Sequence, residues 1–461
     1  MKTTQVSTYL ASEMYNELNE RQRDDVDELT KRLYLHAKEF YWTVTRLVGL
    51  GHLHDGSRSR RHAAVERITL PKDAVMRPLQ YPRLLIDVTP TRRFGHKTGI
   101  QRVIQEIANN AILSGAGLPV FIENGRLVSF FRHTSLPDEV EIVAGDKFLM
   151  LDSSWLIAEE TTAIMKVVTQ RGGENIVSLH DLIPLDYPTV FAPETVSTFK
   201  RWFETIVLAS DAVVCVSRST ADSLVNYVDR SGYSPKFGQR IGWWPLGADF
   251  SAAPVVPPSP AAAAIVAAER PFFLSVGTIE PRKGYSVALS AFDHLWRAGA
   301  DIRYVIVGGS GWQSRALESR IRLHPEFGRR LFWLENVRDS DLRLLYTRAH
   351  SLIAASFAEG FGLPLVEAAY HGLPVIASDI PVFREITDSK ARFFDLLDEK
   401  GLAEVIQTTL ANKKTSTQAH IWTWKESTQL LTELVRGDAY QTRLPDKSSG
   451  RGLHWGAETA A

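Results

Sequence analysis

Glu359 and Glu367 stand eight positions apart in the run Ser356–Ile376, SFAEGFGLPLVEAAYHGLPVI, with Gly360 and Gly362 between them. Carboxylates accept hydrogen bonds from hydroxyl groups, and glycines let the backbone approach a ligand closely. Pro364 suits the first position of a helix, which puts Glu367 in the first helical turn and aims free backbone N–H groups outward. Such a helix end attracts phosphate. On spacing alone, the same run is equally a strand–loop–helix turn with a capping Glu. A second loop, Gly277–Gly284 (GTIEPRKG), also follows a strand and precedes a helix. Its Arg282 and Lys283 bring two cations that can neutralise a diphosphate. An isolated Arg-Lys pair reads as a solvated turn, but both loops fall at strand ends of the same half of the chain.

Further candidates lie upstream. Thr98-Gly99-Ile100-Gln101-Arg102 opens a helix after a strand, and Arg92, Arg93, His96 and Lys97 precede it. Those four are either solvated charge or a basic loop for an anionic acceptor. His180-Asp181 ends the strand IVSLH. Ser217-Arg218-Ser219-Thr220 opens a helix, with an N-cap as its plain reading. Asp25-Val26-Asp27 and Asp339-Ser340-Asp341 are read as a polar helical segment and a helix start, not as metal sites. Cys215 is the only cysteine, so there is no intramolecular disulfide and no CxxC or Cys/His zinc site.

The elements that must position these residues alternate. Arg83–Thr89 reads as a buried strand, and Ile100, Val103, Ile104, Ile107 and Ala111 recur at helical spacing. Phe148–Leu151, Ile176–His180 and Ala212–Ser217 suit strands. After the Pro/Ala-rich run Ser251–Arg270, the alternation resumes with strands at Phe272–Gly277, Arg303–Val307, Leu331–Leu334, Leu352–Ala355, Pro374–Ala377 and Arg392–Phe394. The expected fold is α/β: two doubly wound, Rossmann-like domains facing a cleft, with a helical N-terminal extension. The expected boundaries are an extension over 1–80, a first domain over 81–250, a linker over 251–270, a second domain over 271–421, a helix over 422–436 and a flexible tail over 437–461.

Composition narrows the classes. The 461 residues carry 53 Lys+Arg against 53 Asp+Glu, which argues against a dedicated duplex-DNA binder. The N-terminus has no apolar signal-peptide core, and no stretch approaches the length of a membrane span. The expectation is a cytoplasmic chain, with peripheral contact at the inner face of the cell membrane left open. The basic run Ser57-Arg58-Ser59-Arg60-Arg61 is a solvated loop or a contact for anionic headgroups.

Taken in order, GTIEPRKG, VIVGGSG, VRDSDLRLLYTRA, EGFGLPLVEAAYHGLPVIAS and DIPVFREI resemble the retaining glycosyltransferases of family 4, which have the GT-B fold. The resemblance covers residues 83–436. It implies that Glu359 contacts the transferred sugar, that Glu367 holds the nucleotide's ribose, and that the backbone of Gly360, Phe361, Gly362 and Leu363 lies against sugar and phosphate. It matches Lys283 to the diphosphate-binding lysine. Many members have a basic residue directly after the strand glycine; this chain has Thr278 there, and Arg282 is the candidate substitute. Asn336 and Val337 match the nucleobase position. Thr98, Gly99 and Arg102 match a loop facing the donor phosphate or the acceptor, and His180 a cleft-facing histidine near the reacting sugar. The TGIQRV form is similar to mannosyl- and rhamnosyl-type transferases of bacterial surface polysaccharides.

The implied activity is metal-independent hexosyl transfer from a nucleotide-diphosphate sugar, GDP-mannose first, to a saccharide or lipid-linked acceptor. No cofactor beyond that co-substrate is implied, and no nucleic acid partner. The alternatives are a nucleotide-sugar epimerase or hydrolase on the same double sheet, and a catalytically silent sugar-nucleotide-binding subunit.

Overall fold

A computed structural model of the chain describes residues 78–94, 99–130, 139–250, 256–268, 270–411 and 420–444. The expected N-terminal extension lies outside them up to residue 77, as do Asp25, Asp27 and the basic run at 57–61.

Two sheets organise the described residues. The first holds β1 (Leu84–Asp87), β2 (Leu118–Glu123), β3 (Arg126–Ser129), β4 (Lys147–Met150), β5 (Glu174–Leu179), β6 (Ala212–Cys215) and β7 (Arg240–Trp243). The second holds β8 (Phe272–Val276), β9 (Arg303–Val307), β10 (Leu331–Leu334), β11 (Ser351–Ala354), β12 (Val375–Ser378) and β13 (Arg392–Phe394). A last short strand, β14 (Thr442–Arg443), returns to the first sheet, giving the order β14-β7-β6-β5-β4-β1-β2-β3; the second sheet runs β10-β9-β8-β11-β12-β13. The second sheet is parallel throughout, and in the first only β3 and β14 run antiparallel. Strands such as β1 and β6 are buried at every position, as a parallel sheet covered on both faces requires. This is the GT-B arrangement of two Rossmann-like domains. In each sheet the switch from one winding direction to the other leaves loops at the carboxyl ends of the strands free to bind.

One addition and one correction concern the C-terminal region. The helix at Trp424–Arg436, opened by a capping box between Thr423 and Glu426, belongs to the first lobe. Trp424, Leu431, Leu434 and Val435 share a core with Val103, Ile104 and Ile107, and Ser427 Oγ donates to the Pro245 carbonyl at 2.7 Å. Apolar area on one face of this helix is what draws it there. Residues 437–444, expected in a flexible tail, are ordered: β14 pairs with β7 and Leu444 is buried. Residues 445–461 lie outside the described residues.

Candidate active site

The two loops singled out by sequence meet at the carboxyl ends of the neighbouring strands β8 and β11. Gly284 lets them approach. Its φ is +64°, and a Cβ there would lie 2.1 Å from the Ala355 carbonyl oxygen. The Phe357 amide then donates to the Arg282 carbonyl at 2.9 Å.

Side chains complete the join. Arg282 Nη1 lies 2.6 Å from Glu359 Oε2, and Lys283 Nζ lies 2.5 Å from Glu359 Oε1. Ser356 Oγ donates to Glu359 Oε1 at 2.7 Å, and Glu280 Oε1 holds Arg282 Nη2 at 2.7 Å. Burial alone would raise the Glu359 carboxyl, but Arg282 and Lys283 outweigh it and hold the group at about 2. Lys283 moves the other way: burial lowers it, and Arg282 opposes the help from Glu359. Glu359 is pulled down by two cations, whereas Lys283 is helped by Glu359 and Glu280 but opposed by burial and by Arg282.

The helix after the glycine loop runs Leu363–Tyr370 with Gly362 at its N-cap. It starts one residue earlier than expected, so Pro364 is its second residue and Glu367 its fifth, a full turn in. Glu367 therefore does not face the helix end. Its buried carboxylate accepts from Tyr346 Oη at 2.6 Å and pairs with Arg102. Burial raises the Glu367 carboxyl, with Arg102 and Tyr346 working against that rise.

Arg102 comes from the first lobe, on the helix Gly99–Ser114, and its guanidinium lies 4.4 Å over the Phe250 ring. The expectation placed it in a phosphate or acceptor loop; in the structure its charge is taken by Glu367. Gly99 faces Leu363 across the cleft, where an added Cβ would sit 3.3 Å from Leu363 Cδ1. Thr98 lies outside the described residues, with His96 and Lys97. Arg92 stacks 3.9 Å over Phe121, and Arg93 pairs with Glu160 at 2.7 Å. Both arginines are thus engaged within the first lobe.

Gly360 is a second point where the lobes touch. Its carbonyl accepts from Ser217 Oγ at 2.6 Å and Thr220 Oγ1 at 3.0 Å. A Cβ on Gly360 would fall 1.7 Å from the His180 carbonyl oxygen, so only glycine fits. Phe361 and Val366 pack in the apolar core of the first lobe, with Leu363 against it. Ser217 is indeed an N-cap, accepting from the Thr220 amide, and its hydroxyl also serves the interlobe bond.

Beside this junction is a cavity of about 540 Å³ with walls from both lobes. His180, Asp181, Glu280 and Arg282 form its polar end, and Trp155 and Trp312 belong to its aromatic wall. Phe191 and Trp312 stack across the lobes at 4.3 Å. His180 Nε2 is 2.9 Å from the Leu151 carbonyl, and burial lowers its pKa, so the ring is neutral at pH 7 and donates to that carbonyl. Asn336 and Val337 follow β10, two strands from β8 and outside the carboxylate–cation cluster. Asn336 has a left-handed φ of +53° and is exposed; Val337 is half-buried against the second lobe's core.

Among the described residues no group of three or more His, Cys, Asp or Glu could hold a metal ion. Asp341 instead accepts from the Ser259 amide at 2.9 Å and pairs with Arg338, fastening the interdomain segment. Sequence reasoning missed the Arg102–Glu367 pair, the aromatic wall and Glu385, whose carboxylate accepts from the Arg218 and Ser219 amides of the first lobe. Glu385 lies in DIPVFREI, so the segment was visible but its contact was not.

Residues 262–421 match the family described as Glycosyl transferases group 1. The serotype-specific mannosyltransferase WbdA of Escherichia coli is 35% identical over 376 residues, covering 76% of this chain and 44% of the relative. The O-antigen chain mannosyltransferase RfbU of Salmonella typhimurium is 31% identical over 136 residues, 30% of this chain and 37% of that protein. Each match spans less than half the length of the relative. Among solved structures, sucrose-phosphate synthase from Thermosynechococcus elongatus superposes with a TM-score of 0.51 at 18% identity, covering 77% of this chain and 97% of that one. HepE of Anabaena, in complex with UDP and glucose, gives 0.51 at 15% identity, covering 77% and 95%. At that identity these two speak for the fold alone.

Proposed function

We propose that this chain, whose residues 262–421 match the group 1 glycosyltransferases, is a member of that family and moves a mannosyl group from GDP-mannose to a saccharide acceptor in surface-polysaccharide synthesis, retaining anomeric configuration. The observation that carries the reading is the junction of Glu359 with Arg282 and Lys283 at the edge of the interlobe cavity.

Breaking an anomeric bond leaves positive charge on the sugar and negative charge on the departing diphosphate. Lys283, Arg282 and the N-terminus of the helix Leu363–Tyr370 would meet that negative charge, and preorganised groups of this kind are worth several kcal/mol. An incoming diphosphate would compete with Glu359 for the two cations. The carboxylate released in that exchange would accept from the sugar's hydroxyls and orient the ring. Attack is assigned to the acceptor on the same face, with the leaving phosphate taking the acceptor's proton. These roles ask for no resident cofactor.

The acceptor is assigned to the aromatic cavity. Flat aromatic rings suit the apolar faces of a pyranose, and Asp181, Glu280 and neutral His180 suit its hydroxyls. We assign a lipid-linked saccharide, met at the inner face of the cell membrane; what supports this is that the relatives build O-antigen chains. No helix among the described residues is long and apolar enough to cross a membrane.

The test is a thermal-shift screen of GDP-, UDP- and dTDP-linked sugars, followed by transfer to mannosyl acceptors. GDP-mannose at a hundred times its Kd should stabilise the protein by about 2.7 kcal/mol, and Lys283→Ala should lose most of that shift. Selective stabilisation by another donor would displace mannose from the reading. Release of altered sugar without an acceptor would favour the epimerase or hydrolase.

A further inference from the structure

The helix Arg218–Ser231 of the first lobe is held at its N-terminus by the second. Backbone N–H groups at a helix start lack intrahelical partners and carry partial positive charge. Ser217 serves the Thr220 amide from within the lobe. The amides of Arg218 and Ser219 are served from outside: each donates at 2.8 Å to a different oxygen of the Glu385 carboxylate. Glu385 lies on the short helix Pro381–Ile386 of the second lobe.

The same helix end reaches back in the other direction. The hydroxyls of Ser217 and Thr220 donate to the Gly360 carbonyl, and Gly360 is the residue after Glu359. One helix terminus therefore ties together Glu385 and the loop that carries the Glu359 carboxylate. A solvent-facing Glu with no task would not aim both oxygens at two amides of another lobe. Charge-assisted bonds of this form are roughly twice as strong as neutral ones, and they exist only while the lobes are together.

We propose that Glu385 is a positioning residue. It caps the helix Arg218–Ser231 from the opposite lobe and so fixes the closed arrangement in which the Gly360 carbonyl is bound by Ser217 and Thr220 and Glu359 stands beside Arg282 of the cavity wall. Its bonds go to backbone amides and not to Arg282 or Lys283, so it should govern turnover without governing donor affinity. Only that kinetic consequence rests on the transferase reading; the clamp itself does not.

The experiment compares Glu385→Ala and Glu385→Gln in the full chain by steady-state kinetics and by amide hydrogen exchange. In Glu385→Ala, kcat should fall roughly two- to thirty-fold, the range of a lost cap, while the KM for GDP-mannose stays within about twofold. Glu385→Gln keeps one carbonyl oxygen and should recover part of kcat. Exchange at Arg218 and Ser219 should quicken, and so should exchange across 356–362, which a local capping role would leave alone. The proposal is overturned by unchanged kcat in Glu385→Ala, by a loss of donor affinity that matches the loss of kcat, or by acceleration confined to Arg218 and Ser219. Should the wild-type chain transfer no sugar at all, the transferase reading fails while the exchange result at 356–362 still decides the clamp.

Discussion

Replacing Glu359 by Gln removes the anion from a buried cluster and keeps its shape. In the wild-type chain this carboxyl is held at about 2 instead of 4.5. At about 1.4 kcal/mol per tenfold change, that difference contributes roughly 3 kcal/mol of stability at neutral pH. The side chain is only 8% exposed, so solvent screening takes little from it. The contribution is present above pH 4.5, where the carboxyl is ionised in both the folded and unfolded chains. It fades as pH falls toward 2, with about 1.4 kcal/mol left at pH 3. Glu359→Gln also leaves Lys283 buried without its anion, so its cost at pH 7 should be roughly 3–5 kcal/mol. The assay is urea denaturation of both proteins at pH 7, 5, 4 and 3, following tryptophan emission through the transition of the second lobe. The gap between the curves should be widest at pH 7 and narrow from pH 4.5 downward. Equal stability at pH 7, or a gap that holds constant into acid, would show that the cations do not depend on this carboxylate.

Two further variants probe the junction between the lobes. Gly360→Ala puts a methyl group 1.7 Å from the His180 carbonyl oxygen, so the lobes must part; transfer should fall more than about tenfold, since displacements of an ångström can cost that much, while nucleotide-sugar binding persists. A variant that transfers normally would mean the observed contact is not the working one. Arg102→Ala leaves Glu367 buried with Tyr346 alone and, with Arg102 itself 23% exposed, should cost roughly 2–3 kcal/mol. Adding Glu367→Gln should restore part of the loss, and the single variant's deficit should shrink as pH falls, because burial already raises that carboxyl. A deficit that neither responds to pH nor to the second substitution would assign the effect to lost packing on Phe250.

Much of the architecture was legible because it is periodic. Strands such as Leu331–Leu334 and Arg303–Val307 fall at their expected positions, since a buried parallel strand is a short apolar run that stops at a turn. β14 was hidden because two residues in a polar context carry no period; a strand that short exists only through its neighbour β7. Within the site, the pairing of Arg282 and Lys283 with Glu359 has a local trace, two loops at strand ends. The pairing of Arg102 with Glu367 has none, because 265 positions separate them and only the meeting of the lobes brings them together. The aromatic wall was unreadable for the same reason: Trp155, Phe191 and Trp312 come from three separate stretches of chain, and each alone reads as ordinary core.

The placement of the helix Trp424–Arg436 bears on how the chain is made. Synthesis delivers the first sheet early, but the apolar groove beside Val103, Ile104 and Ile107 is filled by side chains encoded some three hundred positions later. The lobe begun first is thus finished last, after the second lobe has already emerged and can fold as a unit. A ribosome-bound fragment ending before Trp424 would carry that groove bare, exposed to chaperones and to other nascent chains.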